Sequence, residues 1–330
     1  MNKKVAILGA TGSVGYQMLE CLIERDFPCD IKCLASARSA GKVLECRGRS
    51  FVVEEATPES FRGMDIVLGA ASADLARQMA PHITAAGAVF VDNSSAFRMN
   101  PDVPLVVPEI NPEDAKKHKG IISNPNCSTI ITMVAVNALK KLSPIKRMIA
   151  STYQAVSGAG VGGLRELEEQ VRDYAAGNEL KISQFKYQIA FNLIPQIGSD
   201  TGNGYTSEEM KMQNEGRKIL HLPEMKVTCT CVRVPVMRSH SISVSVETER
   251  KISVEEARAA IAAAPGCKLV DDLNADIYPM PLVTSNQDIV HVGRIRDDLV
   301  FENGLALWCA GDQIRKGAAT NTVQIAELLL

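Results

Sequence analysis

Over the first third of the chain, short apolar runs alternate with stretches whose apolar residues recur at helical spacing. Lys4 to Leu8 is an apolar run that stops at Gly9. Ser13 to Arg25 then places Val14, Met18, Leu19, Leu22 and Ile23 on one helical stripe. Ile31 to Ala35, Asp65 to Gly69 and Ala88 to Asp92 repeat the strand pattern, and Ala73 to Ala85 predicts a helix between the last two. Such alternation builds a parallel sheet from βαβ units. From about residue 145 the texture changes. Val227 to Val234 and Ile242 to Val246 alternate strictly, as half-buried strands do, and Val290 to Ala310 is again strand-rich. The capping box Ser253-Val254-Glu255-Glu256 opens a helix to about Ala264.

The pattern predicts an α/β chain with a Rossmann-like dinucleotide-binding domain over 1–127. A second, α+β domain on a mostly antiparallel or mixed sheet follows over 128–312, and a terminal helix, 313–330, packs back on the first. The length of 330 residues suits two domains of roughly 150 each. Apolar residues at 46% and charged residues at 22% supply a core and exclude a mainly disordered chain. A net charge of -2 with aromatics at 5% argues against a nucleic-acid partner. Met1-Asn2-Lys3-Lys4 resembles the start of a signal segment, but the apolar run Val5 to Leu8 is too short for one and reads as a strand. Gly120 to Leu139, the longest uncharged stretch, is too polar for a membrane span. Nine Cys, an odd count without framework spacing, fit reduced thiols in the cytoplasm. The close pairs Cys229/Cys231 and Cys29/Cys33 have no companion pair or His at ligand spacing, so no metal site is expected.

Gly9-Ala10-Thr11-Gly12-Ser13-Val14-Gly15 lies between the first strand and the first helix. Glycines there let backbone N–H groups approach a diphosphate at a helix N-terminus. The spacing is a variant of the commoner fingerprint and gives a dinucleotide class, not a reaction. After the second strand the chain reads Ser36-Ala37-Arg38-Ser39-Ala40, with no carboxylate for a ribose 2′-hydroxyl. A cation among hydroxyls suits the 2′-phosphate of NADP, although a lone surface arginine is the commoner case. Cys127 stands in Ser123-Asn124-Pro125-Asn126-Cys127-Ser128-Thr129, polar turn residues before a helix over Thr129 to Lys141. A helix N-terminus favours thiolate, so Cys127 is the candidate nucleophile where most cysteines are small core residues. Among five His, His240 begins a strand after Arg238-Ser239, a position from which a side chain enters a cleft. Arg233, on a strand face shared with Val227, Cys229 and Cys231, asks for an anionic partner, a ligand or an internal salt bridge.

Four motifs together resemble the aspartate-semialdehyde dehydrogenase family nearly end to end. They are GATGSVG at 9–15, NPNCST at 124–129, STYQAVSGAG at 151–160 with Gln154, and Arg233 to His240 with its seven-residue gap. The resemblance implies NADP-dependent, phosphate-dependent interconversion of L-aspartate 4-semialdehyde and L-4-aspartyl phosphate, on the path to lysine, methionine and threonine. It implies that Cys127 carries a thioester, that Gln154 orients the substrate, that Arg233 holds its carboxylate and that His240 is the acid/base. Arg98 and Lys211 match phosphate-binding positions, and Glu208 or its neighbour Glu209 a contact to the substrate amine. Ser157, Gly158 and Gln313 match positions near the nicotinamide. A homodimer formed through the second domain's sheet is implied as well. One rival, a short-chain dehydrogenase, needs Lys four residues after a Tyr, and none of the six tyrosines has one. The others are a related acyl-phosphate reductase such as N-acetyl-glutamyl-phosphate reductase, and a non-catalytic NADP-binding sensor.

Overall fold

The structure, a computed structural model, describes residues 2–330. The chain divides into two compact units, one running to Asn126 and taking in Gly317–Leu330, the other Cys127–Lys316. In the first unit β1 (Lys3–Leu8), α1 (Ser13–Glu24), β2 (Cys29–Ala35), β3 (Val43–Cys46), β4 (Arg49–Glu55), β5 (Ile66–Gly69), α2 (Ala73–Ala85), β6 (Val89–Asp92) and β7 (Ile121–Ser123) form a seven-stranded sheet, ordered β3-β4-β2-β1-β5-β6-β7. Every pairing is parallel except β3 with β4. Successive β1 residues feed two cores. Val5 and Ile7 pack with Met18 and Leu22 of α1, whereas Ala6 and Leu8 pack with Ala76, Met79 and Ile83 of α2. A parallel sheet covered on both faces needs such continuous apolar strands.

The second unit comprises α3 (Cys127–Lys140), β8 (Ile145–Gln154), α4 (Gly160–Ala176), α5 (Ser207–Leu220), β9 (Lys226–Arg233), β10 (His240–Thr248), α6 (Val254–Ala263), β11 (Cys267–Leu269), α7 (Pro281–Thr284), β12 (Val290–Asp297) and β13 (Gly304–Gly311). Its six-stranded sheet, β11-β12-β13-β10-β8-β9, is mixed: β11/β12 and β8/β9 are parallel, the rest antiparallel. On β8, buried Met148, Ala150, Thr152 and Gln154 alternate with outward Arg147, Ile149 and Tyr153, so one face is core and the other open. The last helix, α8 (Thr320–Glu327), returns to the first unit, where Val323 and Ile325 join the α1-side core. Among the described residues no helix is long and apolar enough to cross a membrane.

Two boundaries and one hairpin differ from the sequence reading. Cys127 belongs to the second unit rather than the first, because it is the first residue of α3, which packs on the second sheet. The terminal helix begins at 320, after a π-helical turn over 315–319, not at 313. Asp312 accepts the N–H groups of Ile314 (2.8 Å) and Arg315 (3.0 Å), and Gln313 is bonded within the second unit, so neither that residue nor its neighbours join α8. The hairpin of β3 and β4 was not expected at all.

Candidate active site

Strand ends bring the second unit's chemical side chains together. Parallel pairing of β8 with β9 sets Gln154 opposite Arg233, both terminal residues of their strands. Antiparallel pairing of β10 with β8 matches Ser241 to Tyr153, which puts His240, the first residue of β10, at the same end of the sheet. Gln154, Arg233 and His240 are all buried. α5 adds Glu208, whose carboxylate accepts from Gln154 Nε2 at 3.1 Å and pairs with Lys211 at 2.8 Å.

The capping box of α5 separates Glu208 from Glu209. Thr206 Oγ1 accepts from Glu209 N, and Glu209 Oε2 accepts from Thr206 N at 2.7 Å. Its other oxygen takes the Cys231 N–H at 3.0 Å. Glu209 is therefore consumed by backbone, and Glu208 is the carboxylate beside Gln154.

Cys127 opens α3, where first-turn amides have no intrahelical acceptor and favour negative charge. It is half-buried; of the other free thiols only Cys29 is, and the rest are buried. Burial pushes the Arg233 guanidinium below its usual range, while Cys127 first and Glu208 next draw it back up. The thiol thus lies within electrostatic reach of Arg233. Arg233 donates Nη1–H to Ala155 O at 2.7 Å, and no other side-chain bond of its fork is formed among the described residues. A cavity of about 230 Å³, lined in part by Gln184, Phe185, Tyr187 and Ile194, opens beside it.

Ala155 holds the His240 ring too, its N–H donating to Nδ1 at 3.1 Å. Two buried polar atoms here have no partner among the described residues, His240 Nε2 and Gln154 Oε1. Such atoms are costly unless a ligand completes them. Gly158 lies against both side chains: a Cβ there would fall 2.8 Å from Arg233 Nη1 and 3.3 Å from His240 Nε2. Gln313 accepts from Ser239 N at 2.8 Å and donates to Ser157 Oγ.

The remaining expected residues lie in the first unit. Gly9, Thr11, Gly12, Ser13 and Val14 form the β1–α1 turn. Gly9 has φ 92°, and a Cβ on Gly15 would meet Gly9 O at 2.2 Å, so the turn tolerates no side chain at either. Gly12 caps α1 without a side-chain bond, leaving the first turn open to an anion. Arg38 sits in the single turn Ala37–Ser39 after β2, flanked by Ser36 and Ala40, and no described residue pairs with its guanidinium. Arg98 is buried and tethered, Nε donating to Asn124 O and Nη2 to Asn93 O, each at 2.9 Å. Among the described residues no cluster of metal-ligating side chains occurs.

Ala155 escaped the sequence reading, since backbone donors and acceptors leave no trace in residue type. The capping box Thr206-x-x-Glu209 was a usable signal for choosing Glu208.

Residues 4–118 match the family described as "Semialdehyde dehydrogenase, NAD binding domain", and residues 136–316 that described as "Semialdehyde dehydrogenase, dimerisation domain". An aspartate-semialdehyde dehydrogenase of Synechocystis is 52% identical over 99% of this chain and 97% of its own length. The crystal structure of aspartate semialdehyde dehydrogenase II from Vibrio cholerae, complexed with ASA, superposes with a TM-score of 0.96 at 43% identity, covering 100% of this chain and 98% of that one. The Candida albicans enzyme with NADP reaches a TM-score of 0.77 at 27% identity, covering 100% and 98%.

Proposed function

Because the chain belongs to the aspartate-semialdehyde dehydrogenase family, we propose that it interconverts L-aspartate 4-semialdehyde, phosphate and NADP⁺ with L-4-aspartyl phosphate and NADPH, through a thioester on Cys127. The reaction is an oxidoreductase step in amino-acid biosynthesis, leading to lysine, methionine and threonine. The reading rests on one observation. A half-buried thiol at a helix start lies within electrostatic reach of a buried, mostly unpaired Arg233, beside unpartnered His240 Nε2 and Gln154 Oε1.

Cys127 sulfur attacks the acyl carbon. Arg233 grips the substrate carboxylate with the N–H groups that Ala155 O leaves free, a planar fork that an ammonium cannot copy. Glu208 receives the substrate ammonium, Gln154 orients the reacting end, and His240 serves the carbonyl oxygen. Arg98 and Lys211 hold phosphate. NADP, when bound, supplies or takes up the hydride. The glycine turn Gly9–Gly15 fits its diphosphate, and Ser157, Gly158 and Gln313 belong to the nicotinamide side. The open face of the second sheet, with Ile149 and Tyr153 exposed, suits a homodimer of a cytoplasmic enzyme.

Steady-state oxidation of aspartate semialdehyde with NADP⁺, with and without inorganic phosphate, tests the reading. NADPH should form only when phosphate is present; phosphate-independent turnover would refute it.

Arg38 carries the choice of nucleotide. Arg38→Ala should raise Kd for NADP by about tenfold or more, the loss of one charge-assisted phosphate pair, with Kd for NAD nearly unchanged. Fluorescence titration with both nucleotides measures this, and equal losses would remove the 2′-phosphate role.

A further inference from the structure

Residues 181–190 form neither helix nor strand, yet their course is fixed from one side. Glu166 and Gln170, one turn apart on α4, are both buried and take up the polar groups of this strap. Glu166 Oε2 accepts the N–H groups of Ser183 at 3.0 Å, of Gln184, and of Phe185 at 3.3 Å, and the Ser183 hydroxyl at 3.0 Å. Its other oxygen accepts from Gln170 Nε2 at 3.1 Å. Gln170 Nε2 also donates to Lys181 O at 2.8 Å, and its Oε1 accepts from Ile189 N at 3.1 Å and Ala190 N at 2.9 Å. Among the described residues no cation pairs with Glu166. A carboxylate buried without a cation is tolerated only where donors converge on it in this way.

The inner side of the strap is a wall of the 230 Å³ cavity beside Arg233, to which it contributes Gln184, Phe185 and Tyr187. Phe185 packs on Val156, Leu167, Ile189 and Ala190. Further along, Ile194 exchanges both backbone hydrogen bonds with Arg233, at 3.0 and 2.9 Å. Between these anchors, residues 183–188 make no backbone–backbone hydrogen bond among the described residues. α4 is thinned where the strap crosses it. A Cβ on Gly162 would fall 2.4 Å from Gln184 Oε1, and one on Gly163 would fall 3.2 Å from Phe185 Cζ. The backbone of 183–185 therefore takes its place from Glu166 and not from a neighbouring strand.

We propose that Glu166 is a positioning residue for substrate binding: it fixes the backbone of 183–185, and with it the wall of the cavity in which Arg233 grips the substrate carboxylate. The inference rests on the carboxylate role given to Arg233 above. Neither Gln154 nor His240 bonds to the strap. A displaced wall thus weakens the grip on substrate in the ground state and the transition state alike, and raises KM more than it lowers kcat.

Glu166→Gln tests the proposal, because it keeps the shape of the side chain and replaces one acceptor oxygen by an NH2 group. That group meets either Gln170 Nε2 or the strap amides, donor against donor. KM for aspartate semialdehyde should rise about tenfold with kcat within about threefold of native and Kd for NADP unchanged. Amide hydrogen exchange should quicken over 181–190 alone. Unchanged KM, a kcat loss larger than the KM rise, or faster exchange throughout the second unit overturns the proposal. In the native enzyme the Ser183, Gln184 and Phe185 amides should exchange at least about a hundredfold slower than in an unstructured peptide. Free exchange there overturns the proposal too, whether or not the variant folds. The exchange measurement needs no substrate, so a failure of the phosphate assay above is read separately.

Discussion

Cys127→Ala is expected to lower kcat by about a thousandfold or more, with Kd for NADP unchanged. No other thiol can replace it. Seven of the remaining cysteines are buried, and Cys29, the half-buried exception, lies in β2 of the first unit with its thiol pushed up to about 11 by burial. Cys229 and Cys231 share a face of β9 with their sulfurs 3.7 Å apart, and that contact first and burial second drive the Cys229 thiol far above its ordinary range. Only Cys127 combines partial access, a helix start and a cationic neighbour, the three conditions under which a thiol ionises at neutral pH. Iodoacetamide should accordingly find one fast-reacting thiol in the native enzyme and none in the variant. Residual turnover above about a tenth in a clean preparation would mean that no covalent intermediate is required.

What the sequence revealed follows from which signals are local. β1, α1 and α2 were readable because their apolar spacing is continuous and ends at Gly9 or at a serine cap. β3 and β4 were not. Their turn is Arg47-Gly48, both at positive φ (47° and 74°), the two-residue hairpin geometry that Asn-Gly would have announced and Arg-Gly does not. α5 was missed because it carries mostly polar residues, yet its buried side holds Met212, Gly216 and Ile219, and its capping box was in plain view. In the site, Cys127 and His240 announced themselves by residue type at element ends, and Arg233 as a cation on an otherwise apolar strand face. The Gln154–Glu208 bond spans 54 residues and depends on how α5 lies against β9, which no periodicity encodes. The strand order of the second sheet, which alone brings Gln154, Arg233 and His240 to one edge, is likewise a property of the packed chain.

Gly158 illustrates the least legible kind of constraint, one set by what must be absent. Its backbone does not occupy the left-handed region, so alanine is conformationally acceptable and the protein should fold with a melting temperature near that of the native enzyme. The added methyl, however, would sit 2.8 Å from Arg233 Nη1 and 3.2 Å from His240 Cε1. Arg233 cannot swing away freely, because it is buried and Nη1 is tied to Ala155 O, and the His240 ring is tied to the N–H of the same residue. Relief therefore displaces the carboxylate fork, the imidazole, or the segment that anchors both. A shift of about 1 Å at reacting groups costs on the order of a hundredfold. Gly158→Ala should thus lose about that factor in kcat/KM for aspartate semialdehyde, through a raised KM as well as a lowered kcat, because the grip on substrate and the donor to its oxygen are disturbed together. Native kcat/KM in a folded Gly158→Ala enzyme would show that Arg233 and His240 do not share the substrate's space.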